Sequence, residues 1–445
     1  MYTFSSKLKT FAIALMVLGI LGIAYGFLTV PKDTHAVEEI LKAHESHGEG
    51  HANVEKEHNS LTEKSHEVAT TNHEEHQEHV AHVFHQLQNK PWSAFYISAL
   101  FFFMVSLLVL VFYAIQWAAE AGWSIVLFRV MEAISAYVLP GSIIVFLFLL
   151  VSSVLHWNHL FVWMSPEAAT DELIKLKSWW LNIPSWIIRA FIYLAGYNIF
   201  RYFLVKNSRA LDTTKDYKTY IRNKNVAVGL LVFFAVSELF LAFDWLMSLD
   251  PHWFSQLYSF YVLASMLVTA ITVIALVTMY LKSKGYLPEV NNSHLHDLAK
   301  YMFGFSIFWT YFWFDQFMLQ WYSNQPEEVV YFVPRLLGAY QIPFISMLFL
   351  NFVFPILILI SSDFKRFNWI IAIAGISIVI GHFMDVYILI SPATVGNSFS
   401  FGMPELGSVL FFLGLFIFIV FNALGKAKLQ AEGNPFMKES EIYQY

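Results

Sequence analysis

The sequence predicts an all-α polytopic membrane protein, and its composition and its long apolar runs are the observations that carry this prediction. Hydrophobic residues make up 57% of the 445-residue chain and charged residues 13%, about half the charged share of a typical soluble domain. The chain also holds 44 Phe, 22 Tyr and 14 Trp, more than one water-soluble core can bury. This composition excludes soluble enzymes, nucleic-acid-binding proteins and disordered scaffolds.

Ten apolar runs of about 20 residues are each long enough to cross the hydrocarbon core of a bilayer. They are bounded by Pro, Gly or clusters of charge, and we predict ten transmembrane helices because a helix bonds its backbone polar groups internally. The predicted spans are 11–30, 93–116, 137–157, 183–204, 226–249, 257–281, 301–323, 338–361, 369–390 and 405–424.

The first apolar run could also be a cleaved signal peptide, since Lys7 and Lys9 precede it. The run is long for the apolar part of a signal, and Tyr25-Gly26-Phe27 offers no pair of small residues for cleavage. We therefore interpret residues 1–30 as a retained N-terminal transmembrane anchor.

An internal repeat organises the remaining spans. A Pro-Glu pair follows the third and seventh spans, an Asn/Gln-Ile-Pro triplet lies at the start of the fourth and eighth, and an Asp with Pro seven positions on marks the fifth and ninth. The matching positions are Pro166-Glu167, Asn182-Ile183-Pro184, Asp244 and Pro251 in the first copy, and Pro326-Glu327, Gln341-Ile342-Pro343, Asp385 and Pro392 in the second. They predict two four-helix bundles in parallel repeat, residues 93–249 and 250–390, about an axis along the membrane normal. Two flanking helices complete the fold, and residues 391–445 form the last transmembrane helix and a cytoplasmic tail.

Basic residues in the short loops predict the orientation. With the N-terminus in the cytoplasm, the cytoplasmic segments hold 17 Lys and Arg, against Lys175, Lys177 and Arg335 in the short outer loops. Both termini are therefore predicted to be cytoplasmic in a bacterial inner membrane, with residues 31–92 as a periplasmic loop. Its 12 Asp/Glu, 5 Lys and 11 His give it a net charge of −7 with His neutral.

Ionisable side chains within spans are costly and therefore indicate a partner, a water-filled cavity or a function. Glu238, Asp315 and His382 fall near the middle of their spans, and Asp244 and Asp385 lie at equivalent repeat positions nearer the periplasm. Carboxylates and imidazoles at this depth can pass protons between mid-membrane and one aqueous phase. We predict these five residues as a proton pathway and identify no certain catalytic residue.

A second set of polar residues lies toward the predicted periplasmic side. These side chains could surround a quinone head, because quinol oxidation needs an acceptor for each phenolic proton. The set consists of His156, His159, Arg189, Asp250 and His252. For both sets a structural interpretation stays open, in which buried pairs fix helix register and loop residues serve as caps.

Two aromatic strings carry a resemblance to a known family: FDWLMSLDPHWFS at 243–255 and QFMLQWYSNQPEE at 316–328. With them, the chain from about residue 93 to 425 resembles the second large membrane subunit of bacterial alternative complex III, in the polysulfide-reductase membrane-subunit family. Residues 31–92 lie outside the resemblance.

The resemblance implies an integral membrane subunit of a respiratory quinol:cytochrome c or quinol:electron-acceptor oxidoreductase. The implied partners are a sister polytopic membrane subunit, a periplasmic iron–sulfur protein, multihaem and monohaem cytochrome c subunits, and, as a further candidate, a terminal oxidase. Haem and iron–sulfur clusters would belong to those partners, consistent with a chain that has no Cys. A quinone such as menaquinone is the expected cofactor, although the resemblance favours the sister subunit for its main site.

Five histidines recur at three-residue spacing in the predicted periplasmic loop: His73, His76, His79, His82 and His85. On a helix such a row turns by about 60° per step, so two or three members could share one Zn²⁺, Cu²⁺ or Ni²⁺ ion. The alternative is a solvated acidic arm, helical from about Thr71 to Gln88, that covers a periplasmic partner.

Two other functions remain open from the sequence. A proton-coupled secondary transporter also suits a parallel repeat with mid-membrane carboxylates, although no span is broken by the Gly/Pro pair that forms many substrate sites. A purely structural subunit would need no titratable residue at all.

Overall fold

The computed structural model describes residues 2–31, 33–35, 37–38, 68–397 and 401–444, with the backbone alone for residues 68–79, 82 and 167. The described residues form helices joined by turns and contain no strand. The helices before the midpoint are α1 (Ser6–Leu28), α2 (Val68–Ala118), α3 (Phe128–Ile134), α4 (Val138–Ser153), α5 (Glu172–Lys177), α6 (Ile183–Thr214) and α7 (Tyr217–Trp245). Those after it are α8 (Tyr258–Ser283), α9 (Asn292–Ser323), α10 (Pro326–Val329), α11 (Val333–Leu336), α12 (Gln341–Leu348), α13 (Phe354–Leu359), α14 (Asn368–Val395), α15 (Met403–Leu424) and α16 (Met437–Glu441).

Eight helical segments among the described residues are long and apolar enough to cross a membrane. They are Ser6–Leu28, Val83–Ala118, Gly122–Ser153, Tyr217–Leu249, Tyr258–Ser283, Gln341–Leu359, Asn368–Val395 and Met403–Leu424. The prediction of a polytopic helical membrane protein is therefore confirmed. The predicted spans 183–204 and 301–323 lie on α6 and α9, which are long but less apolar, so the count of ten stays a prediction.

Helix α2 is the central helix of the molecule. Nearly all of its apolar part is buried, and it packs against α4, α7, α8, α14 and α15. A helix that is apolar on every side can be surrounded by other helices or by lipid, and α2 is surrounded by helices. The sequence of α2 therefore fits its central position.

The helices form two closed rings of contacts, and α2 belongs to the first ring. In the first ring α2 contacts α4, α4 contacts α6, α6 contacts α7, and α7 returns to α2. In the second ring α8 contacts α9, α9 contacts α13, α13 contacts α14, and α14 returns to α8. These contacts group the same helices that the predicted repeat groups, and the repeat itself stays a prediction.

Helix α1 packs along α15 through small residues. A Cβ atom added at Gly22 would lie 2.7 Å from the Cα of Gly407, and one added at Gly26 would lie 2.7 Å from the Pro404 ring. Glycine contacts of this kind let two membrane helices approach closely. The retention of residues 1–30 as an anchor stays a prediction.

Both termini lie on one side of the molecule, which we call the termini side. The Tyr2 ring lies 4.9 Å from the Tyr286 ring and 6.0 Å from the Phe421 ring, centroid to centroid. The tail also packs there, because Ser440 Oγ donates to the Trp123 carbonyl at 2.7 Å. The opposite side carries the loops 154–182 and 246–257.

Helix α2 extends beyond the predicted second span, because it begins at Val68 and continues through Pro91. The predicted domain boundary at residue 93 stays a prediction. Two contacts stabilise this extension: Val80 and Val83 pack against Val37, and the Asn89 amide donates to the carbonyls of His159 and Thr394. Residues 39–67 of the predicted loop lie outside the described residues.

We expect Gly22→Leu to weaken the packing of α1 on α15 and to lower the free energy of unfolding by about 1–3 kcal/mol, the usual cost of overpacking. Gly304→Leu is the matched control, because a Cβ there meets no atom within 4 Å. Thermal unfolding in detergent, followed by tryptophan fluorescence, measures the difference. Equal transition temperatures for the two variants would contradict the tight α1–α15 contact.

Candidate functional site

A fully buried carboxyl–imidazole pair lies inside the second ring. Helix α14 places His382 and Asp385 three residues apart, and both side chains are 0% exposed. Asp385 accepts hydrogen bonds from Ser265 Oγ at 2.7 Å, from Trp309 Nε1 at 3.1 Å, and from the Tyr261 hydroxyl. Residues of α8, α9 and α14 thus converge on one carboxyl group whose donors are all neutral.

His382 extends this cluster toward the middle of the membrane segment. Its Nδ1 lies 2.9 Å from Ser265 Oγ and 3.3 Å from Asn351 Nδ2, and its Nε2 is buried with no partner among the described residues. Asn351 lies in the π-helical turn Phe349–Val353, a distortion common at functional sites. The turn can pack against residue 381 only because that residue is glycine, since a Cβ atom there would collide with Asn351 Oδ1.

A small cavity adjoins the cluster at Tyr261. Tyr261 lines a cavity of about 20 Å³ together with Gln316, Tyr331 and Arg335, enough room for about one water molecule. Arg335 is buried over the Tyr331 ring, 3.5 Å from its centroid, and forms no ion pair with a described carboxylate. A polar path therefore runs from His382 through Asp385 and Tyr261 to a buried cation.

Asp244 occupies a different environment in the first ring. Arg189 binds it in a bidentate manner, with Nε and one terminal nitrogen each 2.8 Å from a carboxylate oxygen. Trp180 Nε1 donates to the same carboxylate at 2.8 Å, and the Arg189 guanidinium stacks 4.1 Å from the centroid of the Trp180 ring. Charge-assisted bidentate pairs are strong and geometrically specific, so this carboxylate is fixed by its partners.

A cavity of about 300 Å³ opens beside this ion pair on the opposite side of the molecule. Trp180, Phe240, Phe243 and Trp253 form most of its apolar wall. Lys177 and Asp250 also line it, and Lys177 Nζ donates to the Pro251 carbonyl at 2.5 Å. Burial lowers the pKa of Lys177, and the negative charges of Asp250 and Asp171 partly oppose that change.

The remaining predicted proton-pathway residues stand apart from these clusters. Glu238 lies on α7, six residues before Asp244, and its buried Oε1 has no hydrogen-bond partner among the described residues. Its polar neighbours are Tyr197 and Ser237, whose hydroxyl oxygens lie 2.7 Å apart. Asp315 is half-buried on α9 and forms no hydrogen bond or ion pair with the described residues.

The five predicted quinone-site residues do not converge on one pocket. Asp250 lines the 300 Å³ cavity, whereas Arg189 is engaged with Asp244. His156 and His159 line a separate cavity of about 330 Å³. The exposed His252 pairs through Nε2 with Asp171 Oδ2 at 2.6 Å and therefore joins two loops.

Among the described residues, no group of three or more His, Cys, Asp or Glu side chains is placed so that it could hold a metal ion. The side chains of His73, His76, His79 and His82 lie outside the described residues, although their backbone belongs to α2. His85 is described, and its ring lies 5.3 Å from the His159 ring, centroid to centroid. Shared metal binding by the row stays a prediction.

The sequence analysis missed a buried ionic network on the termini side. Arg129 bonds both oxygens of Glu132, at 2.6 and 2.7 Å, and also pairs with Asp212. Tyr113 and Ser208 donate to Glu132 at 2.9 and 2.6 Å. The spacing of Arg129 and Glu132, three residues apart, could have indicated an ion pair on one helix face. Both residues precede the predicted third span, however, and were assigned to a loop.

Comparison of the sequence with models of known protein families and with functionally characterised proteins gives no match.

We expect Arg189→Gln to lower the free energy of unfolding by about 3–5 kcal/mol, because it leaves the Asp244 carboxylate buried without its cation. Removing both charges in Arg189→Met/Asp244→Leu should cost less than Arg189→Gln alone. Thermal unfolding of the two variants and the wild type checks this order. A larger loss of stability in the double variant than in Arg189→Gln would show that the two charges do not depend on each other.

The Asp171–His252 contact gives a pH prediction. The hydrogen bond from His252, helped by the Ile174 and Leu173 amides, lowers the pKa of Asp171. The cap that the Asp171 carboxylate forms on the Leu173 and Ile174 amides is therefore complete above the ordinary pKa of an aspartate and is lost as the pH falls through the lowered value. His252→Gln should move this loss to a higher pH.

Hydrogen exchange of the Ile174 amide, which donates to Asp171 Oδ1 at 3.1 Å, measures this midpoint. The Lys218 amide, capped by Asp216 at 3.1 Å with no histidine partner, is the internal control. An unchanged midpoint for Ile174 in His252→Gln would refute the assignment.

Proposed function

We propose that this chain is an integral membrane subunit of a respiratory quinol-oxidising complex of the alternative complex III type. Its contribution is a scaffold and a proton route, and the buried pair of His382 and Asp385 carries the proposal. The partners proposed from the family resemblance are a sister membrane subunit, an iron–sulfur protein and cytochromes c, which would hold the redox centres. This chain would then handle protons and leave electron transfer to its partners.

The cluster around Asp385 has the parts of a proton relay. His382 Nδ1 can donate to Ser265 Oγ while the Ser265 hydroxyl donates to Asp385. If Oγ accepts the imidazole proton as its own proton passes to the carboxylate, one proton moves from His382 to Asp385, and rotation of the hydroxyl then restores the starting orientation. Tyr261 bonds the other carboxylate oxygen and lines the 20 Å³ cavity. One water in that cavity would extend the relay toward the opposite side of the molecule, the periplasm in the predicted orientation.

Neutral donors make Asp385 the better candidate than Asp244 for a group that changes protonation. An arginine in bidentate contact stabilises the charged carboxylate and opposes protonation. Hydroxyl and indole donors stabilise a carboxylate without a formal charge, and a hydroxyl can also accept from the protonated acid. We therefore assign Asp244 and Arg189 to the scaffold and keep Glu238 and Asp315 as side members of the pathway.

The 300 Å³ cavity supports a quinol site as a second, weaker contribution of the same subunit. Its aromatic wall suits a quinone ring, and Asp250 at its edge could accept a phenolic proton. The separate cavity beside His156 and His159 offers a smaller share of aromatic wall. Of the predicted residues, Asp250 is thus the one we propose for quinol contact.

The test is quinol-dependent cytochrome reduction and proton release by the purified native complex. We expect Asp385→Asn and His382→Gln to lower proton release by about tenfold or more, because each removes a titratable member of the relay. Asp363→Asn is the control, since that carboxyl group is exposed and lies outside the proposed pathway. Subunit content of each preparation establishes that the complex is intact.

The outcomes separate the candidate functions. Unchanged turnover and proton release in intact Asp385→Asn complex would contradict the relay and leave a structural subunit. A chain that purifies from native membranes without cytochromes, and that moves protons with a solute, would instead support a proton-coupled secondary transporter.

A further inference from the structure

We propose that the second ring binds an anionic phospholipid on the termini side, between the end of α13 and the start of α14. A groove of about 410 Å³ runs there, lined by Ile358, Phe364, Phe367, Trp369, Ile370 and Ile373. Its volume falls in the range of ligand sites, about 300–1,000 Å³. Its lining is apolar throughout, which suits an acyl chain and no polar solute.

Two cations lie in the turn that contributes Phe364 to this groove. Lys365 and Arg366 belong to the turn Phe364–Arg366, whose Phe364 lines the groove. Neither forms an ion pair with a described carboxylate, and Asp363, their neighbour in sequence, is exposed. The site therefore presents two positive charges that the protein itself does not neutralise.

Lys365 is the more informative of the two cations. It is only 6% exposed, and its Nζ lies 5.1 Å from the centroid of the Phe303 ring. Nearby Lys300 is already hydrogen-bonded to Asp297 at 2.9 Å. Burial and the Lys300 charge both lower the pKa of Lys365, so an anion beside this ammonium would remove an electrostatic cost.

The two features together specify the ligand. A small soluble anion would pair with Lys365 and Arg366 but leave the groove open. A zwitterionic lipid would fill the groove but bring a cation of its own to the charged end. An anionic phospholipid satisfies both, as basic pockets between membrane helices do elsewhere, and the exposed Trp369 suits the headgroup level of the bilayer.

Contact quenching by brominated lipid tests the proposal on the purified full-length chain in detergent. Dibrominated phosphatidylglycerol and dibrominated phosphatidylcholine are titrated separately, and the difference between wild type and Trp369→Phe isolates the fluorescence of Trp369. We expect phosphatidylglycerol to quench Trp369 at the lower concentration. Lys365→Gln and Arg366→Gln should each reduce that preference by about fivefold.

The controls keep the test decisive. Lys426→Gln/Lys428→Gln removes two cations of the same side, outside the groove, and should leave the preference unchanged. If Lys365→Gln unfolds, the exposed Arg366→Gln carries the test alone. Equal quenching by both lipids, or displacement of phosphatidylglycerol by inorganic phosphate, would overturn the lipid site.

Discussion

The cost of burying an ionised side chain in a low-dielectric interior determines how the polar residues of this protein are arranged. In the first ring the cost is met by a cation, because Arg189 holds both oxygens of Asp244. In the second ring it is met by neutral donors, because Ser265, Tyr261 and Trp309 surround Asp385. The first arrangement pairs a carboxylate with a cation, and the second surrounds one with hydroxyl and indole groups.

Close helix packing extends the neutral polar cluster of the second ring to His382. Gly381 lets the π-helical turn of Phe349–Val353 approach α14, and the turn brings Asn351 to within 3.3 Å of His382. Glycines at the α1–α15 contact allow a similar approach at the edge of the molecule. Small residues therefore allow close helix contacts at both interfaces.

Cavities and buried ion pairs occupy different sides of the molecule. The cavities beside Asp250 and His159, and the path from Asp385 through Tyr261, lie toward the side that carries the loops 154–182 and 246–257. The termini side holds the buried Arg129–Glu132 network and the packed tail. This division agrees with the proposed function, in which protons are exchanged with the aqueous phase on the loop side.

The sequence by itself determined the membrane environment, the helical class and the positions of the buried ionisable residues, because the length and polarity of each segment are local properties. It could not tell that Asp244 meets Arg189 while Asp385 meets hydroxyl and indole groups, since those partners lie 55 to 124 residues away. Nor could it tell that Trp253, in the short loop between the fifth and sixth predicted spans, stacks 3.9 Å from the buried Tyr331 ring. Only the packing of helices distant in sequence decides which neighbours surround a carboxyl group, and those neighbours decide whether it holds a charge or passes a proton.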